Sequence, residues 1–358
     1  MSLVRHLFFT DPHFTDREQD AYRWKIFPFL RKVEDQYGAI DDLWCLGDLT
    51  EFKDHHSSRL LHRIVKELET APGLSKHVVK GNHDYIDEGE PFFDWLGELD
   101  WGGYGIRYYS EPEFASYEQG ILVLPHTNNP VEEWKEYREQ DEKIQLVLTH
   151  ITVDGCQSEM GQVLPGISRT QIPGSRALIL SGDIHKPQHL GPDFIYVGTP
   201  YSTRYSPHYH PRVLLLEWDD ETTFNPKVTS IYTGLKRKIA LVTSLDDLLK
   251  NEDDPVWGAV GDVTPEDEIR VSVKVGAHLS PSQWKEFKEE VLKSCKDVNI
   301  SLVPLVDKQV KLDEPSKQGV GLNTRPEDAL SEYCKATTVP DPLQAVGSEL
   351  LRHRLSKT

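Results

Sequence analysis

Apolar positions along the chain fall into short β-prone runs separated by stretches with helical spacing. Leu3 to Thr10 (LVRHLFFT) predicts a strand. Arg17 to Gln36 predicts a helix, with Trp24, Phe27, Leu30 and Val33 at helical intervals. Asp42 to Leu46 predicts a second short strand. Ser57 to Leu68 predicts a second helix, capped by Ser57 or Ser58, whose Leu60, Leu61, Ile64, Val65 and Leu68 form one apolar stripe. His77 to Lys80 then predicts a third strand. Strand, helix, strand, helix, strand is the order of parallel βαβ units, in which functional residues collect at the C-terminal ends of the strands.

The pattern continues with a short helix over Pro91 to Leu99, a turn over Gly102 to Ile106, and a hairpin of Phe114 to Tyr117 with Gly120 to Leu124. A charged helix is expected over Val131 to Lys143, and a strand over Ile144 to Thr149. Residues 151–175 show no periodicity and are rich in Gly, Ser and Pro; they read equally as a site rim or a surface excursion. Further strands are expected at Ala177 to Leu180, Phe194 to Val197, Val213 to Trp218 and Val228 to Tyr232. A boundary falls near Gly234-Leu235-Lys236. Beyond it, strands at Ile239 to Thr243 and Ile269 to Val275 and helices at Leu245 to Lys250 and Ser280 to Ser294 predict a small α+β domain. The expected organisation is therefore 1–233, 234–305, and a polar tail, 306–358, that ends in an amphipathic stripe. That stripe (Leu343, Val346, Leu350, Leu351, Leu355) suits packing on its own chain or docking a partner.

Chemistry concentrates where the predicted strands end. Asp11-Pro12-His13 follows the first, Gly47-Asp48 the second and Gly81-Asn82-His83-Asp84 the third; His150 and Gly182-Asp183-Ile184-His185 end two later strands. Asp11 and His13, two residues apart in extended chain, point the same way and can face one cation. Alone, that triplet reads as readily as a turn with a capping aspartate. Together, imidazole, carboxylate and amide donors suit borderline-hard ions such as manganese, zinc or iron. Two such ions about 3.5–4 Å apart clamp an in-line displacement at phosphorus, and Asp48, a lone carboxylate in mid-series, is the natural bridge. His83 is placed to stabilise the transferring group or protonate the leaving oxygen, with Asp84 expected to orient it.

Bulk composition narrows the setting. The four cysteines, Cys45, Cys156, Cys295 and Cys334, form no CxxC pair, so neither a disulfide framework nor a thiolate metal site is expected, and a reduced cytoplasmic setting fits. No run of about 18 apolar residues predicts a membrane span. Lys and Arg number 40 against 58 Asp and Glu, a net charge of −18, which weighs against nucleic acid as a partner unless metals or a basic subunit offset it.

The motif series D-x-H, G-D, G-N-H-D, a strand-end His and G-x-x-H resembles the calcineurin-like metallophosphoesterase superfamily over about residues 1–233. The resemblance implies a four-layer α-β-β-α sandwich followed by a small α+β cap. It implies two divalent ions, Mn2+ first and Mg2+, Fe2+ or Zn2+ otherwise. Asp11, His13, Asp48 and His185 would hold one ion and Asp48, Asn82 and His150 the other, with His83 the catalytic histidine. Where the family has GHxH this chain has Asp183, expected as a fourth ligand of the second ion or as a residue behind an intervening water; a third, non-enzymatic reading, a scaffold with a decayed site, has this departure as its only support. Within the superfamily, Gly182-Asp183-Ile184-His185-Lys186-Pro187-Gln188 and Tyr196-Val197-Gly198-Thr199-Pro200 resemble the Mre11/SbcD nucleases. That closer likeness implies DNA as substrate, exonuclease with endonuclease activity in repair, recombination or replication, a Rad50/SbcC-type ATPase partner, a homodimer as a further assembly, and a bacterial or phage source. A small-molecule or phosphoprotein phosphoesterase of the same superfamily is the alternative; the GDxxDRG and GNHE blocks of phosphoprotein phosphatases are absent.

Overall fold

The computed structural model describes residues 3–86, 90–96, 105–207, 209–219, 224–244, 263–275, 280–294 and 299–306. Met1–Asp307 forms one compact unit and Lys308–Thr358 a second. All described residues lie in the first, so the expected partner-binding stripe and the helix at Leu245 to Lys250 lie outside them.

Two six-stranded sheets stack face to face. The first contains β1 (Leu3–Phe9), β2 (Asp42–Cys45), β3 (Ser75–Val79), β4 (Ile106–Tyr109), β11 (Arg212–Asp219) and β12 (Lys227–Tyr232), in the order β12-β11-β1-β2-β3-β4. Strands β1 to β4 run parallel, and β11 and β12 extend the edge antiparallel. The second contains β5 (Glu113–Ser116), β6 (Ile121–Leu124), β7 (Leu146–His150), β8 (Leu178–Gly182), β9 (Gln188–His189) and β10 (Phe194–Tyr196), in the order β5-β6-β7-β8-β10-β9. Its core strands β6, β7, β8 and β10 are parallel.

The period of two along each strand sorts its side chains into layers. From β1, Leu7 and Phe9 turn toward the helices α1 (Ile26–Tyr37) and α2 (Ser58–Glu69), joining Phe27, Leu30, Leu60 and Ile64. Phe8 turns the other way, into the seam between the sheets with Trp44, Val79, Leu148, Leu180 and Leu214. On the far face of the second sheet, Leu122, Val147 and Ile179 pack under Trp134, Ile151 and Ile172. The architecture is the expected α-β-β-α sandwich.

Several elements differ from expectation. The helix over Arg17 to Gln36 is a 3-10 stretch, Glu18–Lys25, followed by α1. Pro28 sits in the first turn of α1, where a missing N–H is harmless; inside one longer helix its ring would collide with the carbonyl of Trp24. The charged helix over Val131 to Lys143 is three short turns, Pro130–Glu133, Lys135–Arg138 and Asp141–Lys143. Trp134 stands at the first break with φ −97° and ψ 5° and is fully buried, so anchoring this indole outweighs helix propensity. Pro91 to Leu99 yields only the 3-10 turn Asp94–Leu96 among the described residues. Strands β4, β9 and a last strand are additional to the sequence pattern.

A third, all-parallel sheet joins β13 (Lys238–Ser244), β14 (Glu268–Val275) and β15 (Asn299–Val306), with the helix Pro281–Ser294 between the last two. Ile239, Ile269, Val271, Val273 and Leu302 form its core. Polar contacts tie it to the sandwich: Lys25 pairs with Glu266 at 2.5 Å, Tyr205 donates to Glu268 at 3.0 Å, and the Arg270 guanidinium lies 3.8 Å over the Tyr205 ring. No described helix is long and apolar enough to cross a membrane.

Where β2 begins, one carboxylate pins three strands. His6 Nε2 donates to Asp42 at 2.7 Å, His77 Nε2 donates to its other oxygen at 3.1 Å, and Tyr109 OH closes the chain on His77 Nδ1 at 3.0 Å. Burial pushes Asp42 up, but the two imidazole donors outweigh it and hold the carboxyl well below the usual range. A lowered folded-state pKa contributes stability above the ordinary value of 3.8 and loses it as pH falls through the folded value. Asp42→Asn is therefore expected to cost about 1–3 kcal/mol at pH 7, with the gap from the parent narrowing below about pH 4. Urea unfolding at stepped pH measures it, and a gap constant with pH would contradict it.

Candidate metal centre

The strand ends converge as the sequence pattern predicts, with an unusual backbone. Asp11, His13, Asp48 and Asp183 have φ of 51°, 46°, 53° and 75°, and among the described residues they are the only non-glycine residues with positive φ. Left-handed backbone at Asp and His is tolerated but unfavourable, and it concentrates where a fold aims side chains at a site. Two glycines make room. Gly47, at φ +97°, lies so close to the His150 ring that a Cβ would overlap it, and a Cβ on Gly81 would overlap Asp48.

The first sheet supplies Asp11, His13, Asp48, Asn82 and His83, and the second supplies His150, Asp183 and His185. His13 Nε2 and His185 Nε2 face each other at 3.1 Å, with Asp11 Oδ1 3.7 Å from His185 Nε2. His150 Nε2 lies 3.4 Å from Asp48 Oδ1, 3.1 Å from the Asn82 amide and 4.0 Å from Asp183 Oδ1. Asp48 links the two groups, its other oxygen 3.6 Å from His13 Nε2. Its ligand atoms fall within 4.8 Å of those of His13 and His83 on one side and of Asp11 and His150 on the other.

Tautomers are set by groups behind the rings. His150 Nδ1–H donates to the Leu46 carbonyl at 2.7 Å, and His185 Nδ1–H is held by Glu159 at 3.2 Å and Thr203 at 3.1 Å. Each bond leaves the Nε2 lone pair turned inward. In the Asp11 carboxylate, Oδ2 accepts from the Thr10 hydroxyl at 2.5 Å, while Oδ1 is buried without a hydrogen-bond partner. The Asn82 amide lies 3.1 Å from both Asp48 oxygens and from His150 Nε2, within the same group. Buried carboxylate, imidazole and amide groups converging this closely are costly unless positive charge, a cation or an imidazolium, sits among them. The donor set of carboxylate, imidazole and amide thus fits divalent ions, with Asp11, His13, Asp48 and His185 around one position and Asp48, Asn82, His150 and Asp183 around the other.

Electrostatics carry the same mark. Burial pushes Asp11 up to about 6, despite the nearby His150 and His185. Burial also opposes ionisation of Asp48, but His150, through its charge and its hydrogen bond, outweighs it and keeps the carboxylate ionised. His13 is driven well down, chiefly by burial, and so stays a neutral ligand.

The Asp84 expectation needs correction. Its carboxylate does not meet His83; it accepts from Leu49 N at 2.9 Å and Gly81 N at 2.8 Å, stapling the Gly81 turn to the Asp48 turn. Burial, reinforced by Asp48, raises it to about 7. His83 is aimed instead by Glu51, whose carbonyl accepts from Nδ1 at 2.9 Å, while its main-chain N–H donates to Asp48 at 2.9 Å. Glu51 also pairs with Arg23 at 2.7 Å, and Arg23 donates to the His13 carbonyl. Asp183 lies in the site, as expected. The Thr152 hydroxyl donates to its Oδ2, which leaves Oδ1 toward His150.

Residues 151–175 do form a rim, bringing Ser158, Glu159 and Leu164 to an open cleft of about 220 Å³ that His13, His83, Asp183 and Arg204 also line. Glu159, Glu51, Thr152 and His126 are functional neighbours that no sequence motif marks. His126 Nδ1–H donates to the His150 carbonyl at 3.2 Å, and burial lowers its pKa to about 4, so its ring is neutral.

Fold and ligand set together define a metal-dependent phosphoesterase. The calcineurin-like phosphoesterase family model matches residues 4–187, just over half of the chain, and the chain belongs to that family. No curated protein matches it.

Two substitutions test the supporting contacts. Glu159→Ala, which leaves His185 Nδ1 only the Thr203 hydroxyl, is expected to weaken divalent-metal binding roughly 10- to 100-fold by calorimetry. Asp84→Asn sets an amide donor against one of two backbone donors. It is expected to lower stability by about 1–3 kcal/mol in denaturant unfolding, more than His83→Ala does; the reverse order would restore a direct role for Asp84 at His83.

Proposed function

We propose that the chain is a nuclease that hydrolyses DNA phosphodiester bonds with two divalent ions, manganese first among them, as the nuclease subunit of an Mre11-Rad50/SbcCD-like complex. The observation that carries the reading is the sharing of Asp48 between two ligand groups at the floor of an open cleft. Divalent cations held by Asp11, His13, Asp48, Asn82, His150, Asp183 and His185 would supply Lewis acidity and an activated water for attack on phosphorus. The chain's own residues do the rest. Asp48 and Asp11 fix the charge at the floor, and the carbonyls of Glu51 and Leu46 lock two imidazoles in register. His83, with Nδ1 tied to Glu51, presents Nε2 to the cleft and in its protonated form donates to the departing ester oxygen. Arg204, exposed on the cleft wall, offers a cation to a phosphate in a chain that is otherwise strongly acidic. The third sheet beside the cleft supports a capping role, and the closer motif likeness supports DNA ends as substrate with both exonuclease and weaker endonuclease activity.

Net charge favours a second reading, a small-molecule or phosphoprotein phosphoesterase. Purified chain with manganese, on linear duplex and single-stranded DNA, separates the two. Cleavage is expected, lost on metal omission and reduced roughly 10²- to 10⁴-fold in His83→Ala. DNA left intact while a small phosphomonoester or cyclic nucleotide is hydrolysed decides for the second reading.

A further inference from the structure

A second pocket, about 140 Å³, opens beside the metal centre and belongs to none of the motifs. Its ends are tied to the ligand turn: Lys80 stands two residues before Asn82, Tyr85 two after His83, and His126 touches the His150 carbonyl at 3.2 Å. The Tyr85 ring lies nearly parallel to that of His126, at 21° and 5.9 Å between centroids. Two ammonium groups approach the same ring, Lys53 Nζ at 4.9 Å and Lys80 Nζ at 5.8 Å. Such a volume is well below the roughly 300–1,000 Å³ of a pocket for a whole drug-sized ligand, so it suits a single ring. Glu111 and Glu133 also line the pocket, which disfavours a phosphate inside it and favours a neutral group with hydrogen-bond donors. Asn129 adds an amide to the lining.

We infer that this pocket is a nucleobase subsite, in which the base next to the scissile phosphate stacks on Tyr85 while Lys53 and Lys80 turn to the flanking phosphate. The inference rests on the nuclease reading of the adjoining centre. Stacking of a base on an aromatic ring outweighs the contact of an exposed lysine with the same ring, so Lys53 yields the ring face to the base. The His126 ring, nearly parallel to that of Tyr85, continues the stack.

The test compares kcat/KM of the manganese-loaded chain for thymidine 5′-(p-nitrophenyl phosphate) and methyl p-nitrophenyl phosphate, which share a leaving group and differ in the base. The parent is expected to prefer the nucleotide ester, Tyr85→Ala to lose about tenfold of that ratio, and Tyr85→Phe to keep it, which also controls for misfolding. Saturation-transfer NMR with thymidine on the full, metal-free chain gives a readout independent of turnover. Transfer to the base protons is expected in the parent and in Tyr85→Phe, and not in Tyr85→Ala. An unchanged ratio and unchanged transfer in Tyr85→Ala, with DNA still cleaved, would overturn the subsite alone. A parent that leaves DNA intact yet prefers the nucleotide ester through Tyr85 overturns the nuclease reading and keeps the subsite. A parent that neither cuts DNA nor distinguishes the two esters overturns both.

Discussion

Everything at the metal centre is arranged around the Asp48 carboxylate. It takes the His83 N–H, faces His13 with one oxygen and His150 with the other, and has the Asn82 amide against both. A buried carboxylate this crowded is tolerable only if positive charge reaches it, from imidazolium or from metal. The surrounding backbone accepts left-handed conformations at four polar residues and gives up Cβ atoms at Gly47 and Gly81 to permit that crowding. Those are costs to the fold, and they accumulate at one place because the ligand geometry needs them there.

What the sequence made legible was the set of residues that would meet. Each motif ends a strand whose period of two and apolar content are visible in the letters, so parallel βαβ order suffices to bring Asp11, Asp48 and Asn82 to one rim. His150, Asp183 and His185 arrive there by the same logic on the second sheet. The supporting contacts were not legible, since they use backbone carbonyls or residues with no periodic context. Glu51 holds His83 through its main chain, which no side-chain identity encodes. Glu159 comes from a stretch without repeat or propensity, and its place against His185 depends on how that loop is laid across the cleft. Asp84 reads naturally as a partner for its neighbour His83, but consecutive residues in a tight turn point apart, and its carboxylate goes to two amide donors instead.

Secondary structure shows where local preference gives way. Pro28 divides a continuous apolar stripe into a 3-10 segment and a helix, and the burial of Trp134 breaks a charged, helix-prone run into turns. Both failures follow from a single residue whose steric or burial demand exceeds the summed propensities of its neighbours. The short strands β4 and β9 escape notice for a related reason: each follows turn-like residues and is too short to show its alternation. Net charge was similarly a poor guide to local field. The chain carries −18 overall, yet two lysines approach Tyr85 and an arginine lines the cleft.

The ligand set straddles the seam between the two sheets. Four of the candidate ligands, Asp11, His13, Asp48 and Asn82, ride on one sheet and three, His150, Asp183 and His185, on the other, so the packed layer of Phe8, Trp44, Val79, Leu148, Leu180 and Leu214 works as a spacer that sets the gap between them. Close-packed interiors transmit small volume changes rather than absorbing them. Trimming or enlarging a side chain in that layer would thus retune the span between the cations, and with it which ion fits, without altering any residue that touches metal or substrate.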